Sequence, residues 1–125
     1  MINFKNKKIL ITGATGGIGN ALVKKFLSLD GTVLATGTNT EKLDALKKEF
    51  PKINVLKFDI SDHSKIEDFI ENVTSQLVGL DVLVNNAGIT MDNLSLRMKD
   101  EEWKKVIDIN LSSTFYLCKH AIKKM

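Results

Sequence analysis

Thr12-Gly13-Ala14-Thr15-Gly16-Gly17-Ile18-Gly19 is the stretch whose reading decides the fold. It follows an apolar run, Ile9-Leu10-Ile11, and opens onto Ile18, Leu22, Phe26 and Leu29, apolar residues at helical spacing. Strand, glycine-rich turn and helix together form the context in which such glycines mark a dinucleotide site. Glycine has no Cβ and tolerates positive φ, so the backbone can turn sharply and approach a bulky anion. The first turn of the following helix carries unpaired N–H groups and a partial positive charge, which suits a pyrophosphate. Thr12 and Thr15 add hydroxyl donors beside the same cavity. Taken alone, the stretch also serves as a tight strand-to-helix turn that holds no ligand.

The glycine spacing is not G-x-G-x-x-G. Gly13, Gly17 and Gly19 fit T-G-x-x-x-G-x-G, and Gly13, Gly16 and Gly19 fit T-G-x-x-G-x-x-G equally well. The turn alone does not choose between them.

Outward from the turn, strands alternate with helices. Lys7 to Thr12 reads as a strand buried on both faces, being apolar without alternation. A helix from about Gly17 to Leu29 ends at Asp30-Gly31, with glycine near the C′ position. Thr32 to Thr36 is a second strand. Asn39 or Thr40 caps a helix carrying Leu43, Leu46 and Phe50, which Pro51 stops. Asn54 to Phe58 is a third strand. In the next helix Ile66, Phe69, Ile70, Val73 and Leu77 recur at three- and four-residue spacing, and Gly79 closes it. Asp81 to Val84 is a fourth strand, and a polar loop runs from Ile89 to about Lys99. A long helical pattern then runs from Asp100 to the end, with Trp103, Val106, Ile107, Leu111 and Phe115 among its apolar members.

This alternation predicts β-α-β units and an α/β, Rossmann-like three-layer α-β-α fold with a parallel sheet. Right-handed crossovers give the strand order 3-2-1-4, with the ligand crevice where the order reverses, between strands 1 and 4. The turns at Gly13 and Asn86 both fall at the carboxyl ends of those strands.

The 125 residues predict one domain spanning 1–125, with no linker or repeat. A net charge of +3 with scattered lysines argues against nucleic acid as a partner. The single cysteine, Cys118, leaves no internal disulfide and fits a reducing compartment. With no signal-peptide pattern and no apolar run near the ~20 residues that span a bilayer, no membrane is expected and the cytoplasm is the default. His63 and His120 have no partner acids or cysteines at metal-ligand spacing, so both read as surface residues and no metal is expected.

Asn85-Asn86-Ala87-Gly88 follows the fourth strand. N-N-A-G together with T-G-x-x-x-G-x-G resembles the short-chain dehydrogenase/reductase family. The likeness extends through Asp81 to Thr90, Asp92-Asn93-Leu94, Arg97 to Trp103 and Asn110 to Ser113, and follows the 3-oxoacyl-[acyl-carrier-protein] reductase branch of that family. It implies NADPH-dependent reduction of an acyl-carrier-protein thioester in fatty-acid synthesis. Other short-chain reductases, acting on acetoacetyl-CoA or hydroxysteroids, and a non-catalytic nucleotide-binding fragment are the alternatives.

By the resemblance, the phosphates lie against Gly13, Thr15, Gly16 and Ile18 in the turn that Gly17 and Gly19 complete. Asp59 and Ile60 flank the adenine, and Asn86, Ala87 and Gly88 border the ribose and nicotinamide. A carboxylate such as Asp59 can accept from the adenine amine, or simply cap the helix after Ser61. Asn86 offers a donor and an acceptor, or is a turn residue. A carboxylate at the end of strand 2 would pair with a ribose 2′-OH and select NAD. Here Thr36, Gly37, Thr38 and Asn39 precede the first acid, Glu41, and Thr38 can donate to a 2′-phosphate, so NADP(H) is favoured. Family members often carry a base at the position of Gly16, and this chain does not.

The resemblance makes Asn110 the asparagine of an Asn-Ser-Tyr-Lys active site, where a local helix distortion lets it hold a water linked to the catalytic lysine. Read without it, Asn110 is a weakly destabilising helix residue. The rest of that site is not in this sequence. The one tyrosine, Tyr116, has His120 four residues on and reads as packing or an interface residue. Met91 and Met98 read as packing residues beside a possible substrate channel. A chain ending at Met125 is expected to be a truncated domain, lacking the fifth strand and the proton donor. The exposed edge of strand 4 would then make it marginally stable or aggregation-prone. By the resemblance, the terminal helix packs against a second copy, so the full-length protein is expected to be a homo-oligomer.

Overall fold

The computed structural model describes residues 2–125. In chain order it contains β1 (Lys8–Ile11), α1 (Gly17–Ser28), β2 (Thr32–Gly37), α2 (Thr40–Glu49) and β3 (Asn54–Lys57). A short 3-10 turn (His63–Lys65) leads into α3 (Ile66–Leu77), followed by β4 (Val82–Val84). The last segment is α4 (Asp100–Ile107), a π turn (Asp108–Ser112) and α5 (Ser113–Ile122).

The four strands are parallel in the order β3-β2-β1-β4. Alternate residues of the central strands point to opposite faces, and both faces are covered. Ile9, Ile11, Val33 and Ala35 pack against Val23 of α1 and Leu46 of α2. Leu10 and Leu34 pack against Ile66, Phe69, Ile70 and Val73 of α3 and Leu117 and Ala121 of α5. Leu10 and Ile9 are fully buried, each contributing roughly 1.5–3 kcal/mol in transfer terms. The unbroken apolar strands reflect this two-sided burial. The result is the Rossmann-like α-β-α arrangement, its crevice between the carboxyl ends of β1 and β4.

Helix ends show where local chemistry differs from expectation. Asn39 is the N-cap of α2, its side chain accepting from the Lys42 N–H at 3.0 Å. After α1 the left-handed position is taken by Asp30 (φ 66°), not by Gly31. At Gly31 a Cβ would lie 2.6 Å from Ile9 Cδ1, the end of a side chain that can shift, and 3.1 Å from the Phe26 carbonyl oxygen. At the end of α3 the left-handed residue is Val78 (φ 57°), with Gly79 at φ 131° donating to the Thr74 carbonyl.

The long C-terminal helical pattern is broken by the π turn at Asp108–Ser112, the local distortion that the family resemblance implied around Asn110. Trp103, Leu111 and Phe115 are exposed, while Ser113, Leu117 and Ala121 are buried against the sheet layer. The π turn places one extra residue in the helix, so the inward face of α5 does not continue a single 3.6-residue stripe from α4. β4 is only half-buried and, among the described residues, pairs only with β1. No helix among the described residues is long and apolar enough to cross a membrane.

Candidate nucleotide site

Two loops leave the sheet at adjacent strand ends and lock together. The Thr12 N–H donates to the Val84 carbonyl at 3.1 Å, extending the β1–β4 ladder by one step. Thr12 Oγ1 then accepts the N–H groups of Asn86 (3.1 Å) and Ala87 (3.0 Å). In return, the Asn86 side-chain amide donates to the Gly13 carbonyl at 3.0 Å. Thr12 is buried: its oxygen accepts these two N–H groups, and its own hydroxyl donates to the Val84 carbonyl at 3.4 Å. It is therefore a clasp between loops and not the ligand donor expected from its place in the motif.

Gly13 sits at φ 59°, and a Cβ there would lie 2.7 Å from Ala87 Cα and 2.9 Å from Ala87 N. The two backbones are closer than any side chain permits. Gly19 serves another contact: a Cβ on it would lie 2.6 Å from Ala14 Cα, so its absence lets α1 start hard against the turn. Gly17 differs from both, because a Cβ there meets nothing within 4 Å and would project into open groove.

The groove, about 380 Å³, is lined by Gly13, Thr15, Gly16, Gly17, Ile18, Gly19, Asn86, Ala87 and Gly88. Across the same rim lies a cavity of about 200 Å³. Thr36, Gly37, Thr38, Phe58, Asp59, Ile60, Ile89 and Ile109 line it, together with Gly13, Thr15, Ala87 and Gly88, which border both spaces. The twelve residues expected at a nucleotide each line one or both of these two adjoining spaces at the strand ends. Phe58, Ile89 and Ile109 belong to the cavity wall too, although sequence reasoning passed over them. Phe58, one residue past β3, and Ile89, next to the Asn85–Gly88 run, had positions that could have marked them.

The residues fit a dinucleotide on two counts. The first turn of α1 has Gly16 as N-cap and no side-chain cap bond, so its leading N–H groups have no partner within the helix. They open onto the groove over glycines that no Cβ obstructs. The cavity beyond combines apolar walls from Phe58, Ile60 and Ile109 with polar groups from Thr38 and Asp59, which suits a flat heterocycle bearing an amine. Ile18 is largely exposed beside the groove, an unusual place for isoleucine without something to cover it.

Asp59 Oδ1 accepts both the Ser61 hydroxyl (2.7 Å) and the Ser61 N–H (2.9 Å). Those two bonds, side chain first, hold its carboxyl below the usual value of 3.8, and Lys105 adds a weak attraction. Asp59 caps no helix, since Asp62 precedes the 3-10 turn and Lys65 precedes α3; its bonds to Ser61 close a local turn while the residue stays on the cavity rim.

Asn110 lies within the π turn and is not a wall residue. Its side chain forms a closed pair with the Ile89 backbone: Oδ1 accepts the Ile89 N–H and Nδ2 donates to the Ile89 carbonyl, both at 2.8 Å. Gly88 is adjacent, where a Cβ would lie 3.2 Å from Asn110 Oδ1. Tyr116 is partly buried against the α3-side core, edge-on to Phe115 and 5.0 Å from the His63 ring. His63 is not the surface residue expected of it: Nε2 contacts Ser113 Oγ at 2.9 Å and the Asp108 carbonyl at 3.1 Å. Met91 and Met98 are half-buried. Among the described residues no group of three His, Cys, Asp or Glu could hold a metal.

Comparison with known proteins bears on this arrangement. Residues 7–125 match the family model for short chain dehydrogenases. The chain is 46% identical to a 3-oxoacyl-[acyl-carrier-protein] reductase from Rickettsia felis and 38% identical to the corresponding reductase from Escherichia coli. It spans about half the length of these relatives, 51% in each case, while 100% and 99% of the chain is matched. Among solved structures, a short-chain dehydrogenase/reductase of the glucose/ribitol dehydrogenase type from Brucella melitensis superposes with a TM-score of 0.92 at 33% identity. That match covers 99% of this chain and 54% of the other.

Proposed function

The chain belongs to the short-chain dehydrogenase family, and from that premise we propose that it is the nucleotide-binding portion of an NADP(H)-dependent 3-oxoacyl-[acyl-carrier-protein] reductase. The observation that carries the binding reading is the pair of adjoining spaces that the glycine turn and the Asn86 loop both line. The branch is supported by the reductases it resembles at 38–46% identity.

In this reading, the chemistry a nicotinamide dinucleotide would supply when bound here is hydride transfer to a carbonyl carbon. The chain's own residues do the holding. The N–H groups at the head of α1 and the Thr15 hydroxyl take the pyrophosphate, with Ile18 covering it. Asp59 and Ile60 receive the adenine ring. The Asn86–Gly88 backbone, fixed by Thr12, meets the ribose and nicotinamide. Thr38 at the end of β2, with no carboxylate before Glu41, accommodates a 2′-phosphate and favours NADP(H) over NAD.

Asn110 orients the Ile89 backbone and keeps the π turn beside the nicotinamide end, where a water relay to a lysine is expected of the family. No Tyr-x-x-x-Lys occurs in these 125 residues. Tyr116 packs toward α3 and His63, so it does not supply the proton a carbonyl oxygen must receive. We infer that this chain forms one domain that binds nucleotide without turnover. A downstream extension supplying serine, tyrosine and lysine reduces the thioester. The exposed apolar residues Trp103, Leu111 and Phe115 support homo-oligomerisation of the extended form, and the cytoplasm is the proposed location.

Titration of NADPH fluorescence, followed by an acetoacetyl thioester assay on this chain and on the extended one, tests the reading. Binding by both and turnover by the extended chain alone is the expected result. Turnover by the 125-residue chain refutes the account of the missing acid, and no binding by either refutes the site.

A further inference from the structure

We propose that His63 is a positioning residue that braces the π turn, and through it Asn110, against the loop forming the adenine end of the cavity. This deepens the assignment of Asn110 made above and rests on it. His63 begins the 3-10 turn four residues after Asp59, while its contacts lie some fifty residues away, on both sides of the π turn.

Counting protons fixes the arrangement. Ser113 is fully buried, and its hydroxyl lies 2.6 Å from the Ile60 carbonyl, 2.8 Å from the Asp108 carbonyl and 2.9 Å from His63 Nε2. A serine has one proton to give. The shortest contact assigns it to Ile60, a residue of the cavity wall. The oxygen's remaining capacity is to accept, and the donor facing it is His63 Nε2–H. That same N–H lies 3.1 Å from the Asp108 carbonyl, which also accepts the Ser113 N–H that closes the π turn. His63 therefore has to carry its proton on Nε2.

The connection runs in a line. Ile60 and Asp59 form the cavity's far wall. Ser113 and His63 join that wall to both ends of the π turn, and its central residues, Ile109 and Asn110, reach the near wall and the Ile89 backbone. A π turn is a less favourable local geometry than an α-helix, so side-chain bonds at its ends bias the register that places Asn110. Tyr116 against the imidazole ring holds the ring plane.

The test uses the full-length protein and begins with the unaltered side chain. Nitrogen-15 resonances of the neutral His63 ring should show the Nε2–H tautomer, and the Nδ1–H tautomer overturns the proposal. His63→Phe keeps an aromatic ring beside Tyr116 but offers no donor. It should speed amide exchange at Ser113 about tenfold, as loss of one internal hydrogen bond does, and should shift the Asn110 side-chain amide resonances. His63→Gln, which returns an N–H donor, should restore both. If His63→Phe leaves both readouts unmoved, or if His63→Gln is as altered as His63→Phe, the brace does not exist. Asn110→Ala, assayed for turnover in parallel, tests the underlying assignment separately. Undiminished turnover removes the catalytic purpose of the brace while its tautomer and exchange signatures stand.

Discussion

Gly13→Ala isolates the contact on which the two loops depend. At φ 59° an alanine would bear about 1–2 kcal/mol of left-handed strain. Its Cβ would lie 2.7 Å from Ala87 Cα, and because the opposing atoms are backbone, no side-chain rotation relieves the overlap. Overpacking of this kind costs about 1–3 kcal/mol, and the stiffer unfolded chain returns only about 0.4–1 kcal/mol. The net loss is roughly 3 kcal/mol, a drop in Tm of about 10 °C for a chain of this size. Relief would push the loops apart and lengthen the bonds from Asn86 and Ala87 to Thr12, so NADPH affinity should fall with stability. Gly17→Ala is the paired control. Its Cβ meets no protein atom, so the melt should stay within about 2 °C of the parent while the methyl group intrudes on the groove and weakens NADPH about tenfold. Thermal melts by far-UV circular dichroism and NADPH fluorescence titration read both. A Gly13→Ala protein melting within 2 °C of the parent, a span of about 0.5 kcal/mol, would refute the claim that the approach of the two backbones requires glycine.

Thr12→Val preserves shape but leaves the N–H groups of Asn86 and Ala87 without their acceptor; urea denaturation should show a loss of about 2–4 kcal/mol. Asp59 has a folded-state pKa below its unfolded value. Its contribution is therefore present above about pH 4 and is lost as pH falls through the lower, folded value. Asp59→Asn should consequently flatten the acid limb of the stability curve relative to the parent, read as denaturation midpoints at about pH 5 and pH 2. In the extended protein, Asn110→Ala should lower thioester turnover about a hundredfold with little change in NADPH affinity, measured by steady-state kinetics and titration.

The parts of the fold legible in the sequence were those set by short-range rules. Two-sided burial writes continuous apolar runs at Ile9–Ile11 and Thr32–Thr36, and amphipathic α3 repeats at three and four residues. The crevice followed from topology, because β-α-β handedness leaves few ways to order four parallel strands. What escaped notice depended on partners remote in sequence. Thr12 looks like a ligand donor until its hydroxyl is seen to donate to the Val84 carbonyl while its oxygen accepts the Asn86 and Ala87 amides. His63 has nothing near it in sequence to suggest Ser113. The π turn has no composition of its own and was expected only through the family resemblance at Asn110; the residues alone gave no sign that Trp103, Leu111 and Phe115 would be exposed while Leu117 and Ala121 face inward. Asp30 and Val78 took left-handed positions beside the glycines expected to end those helices.

The position of β1 in the sheet has a consequence for how the protein is made. Its first neighbour, β2, follows within two dozen residues, but Lys8 meets Asp81, a partner 73 residues further along the chain. At a synthesis rate of about 5–20 residues per second, the ribosome needs roughly 4–15 s to deliver that second neighbour. From the completion of β2 at Gly37 until Ala87 is made, roughly 2.5–10 s at that rate, the glycine turn exists beside β2 with one rim of its crevice missing, and Thr12 has no amides to receive. The pocket closes only when residues 86 and 87 leave the exit tunnel, so a nascent chain can capture nucleotide late and never early.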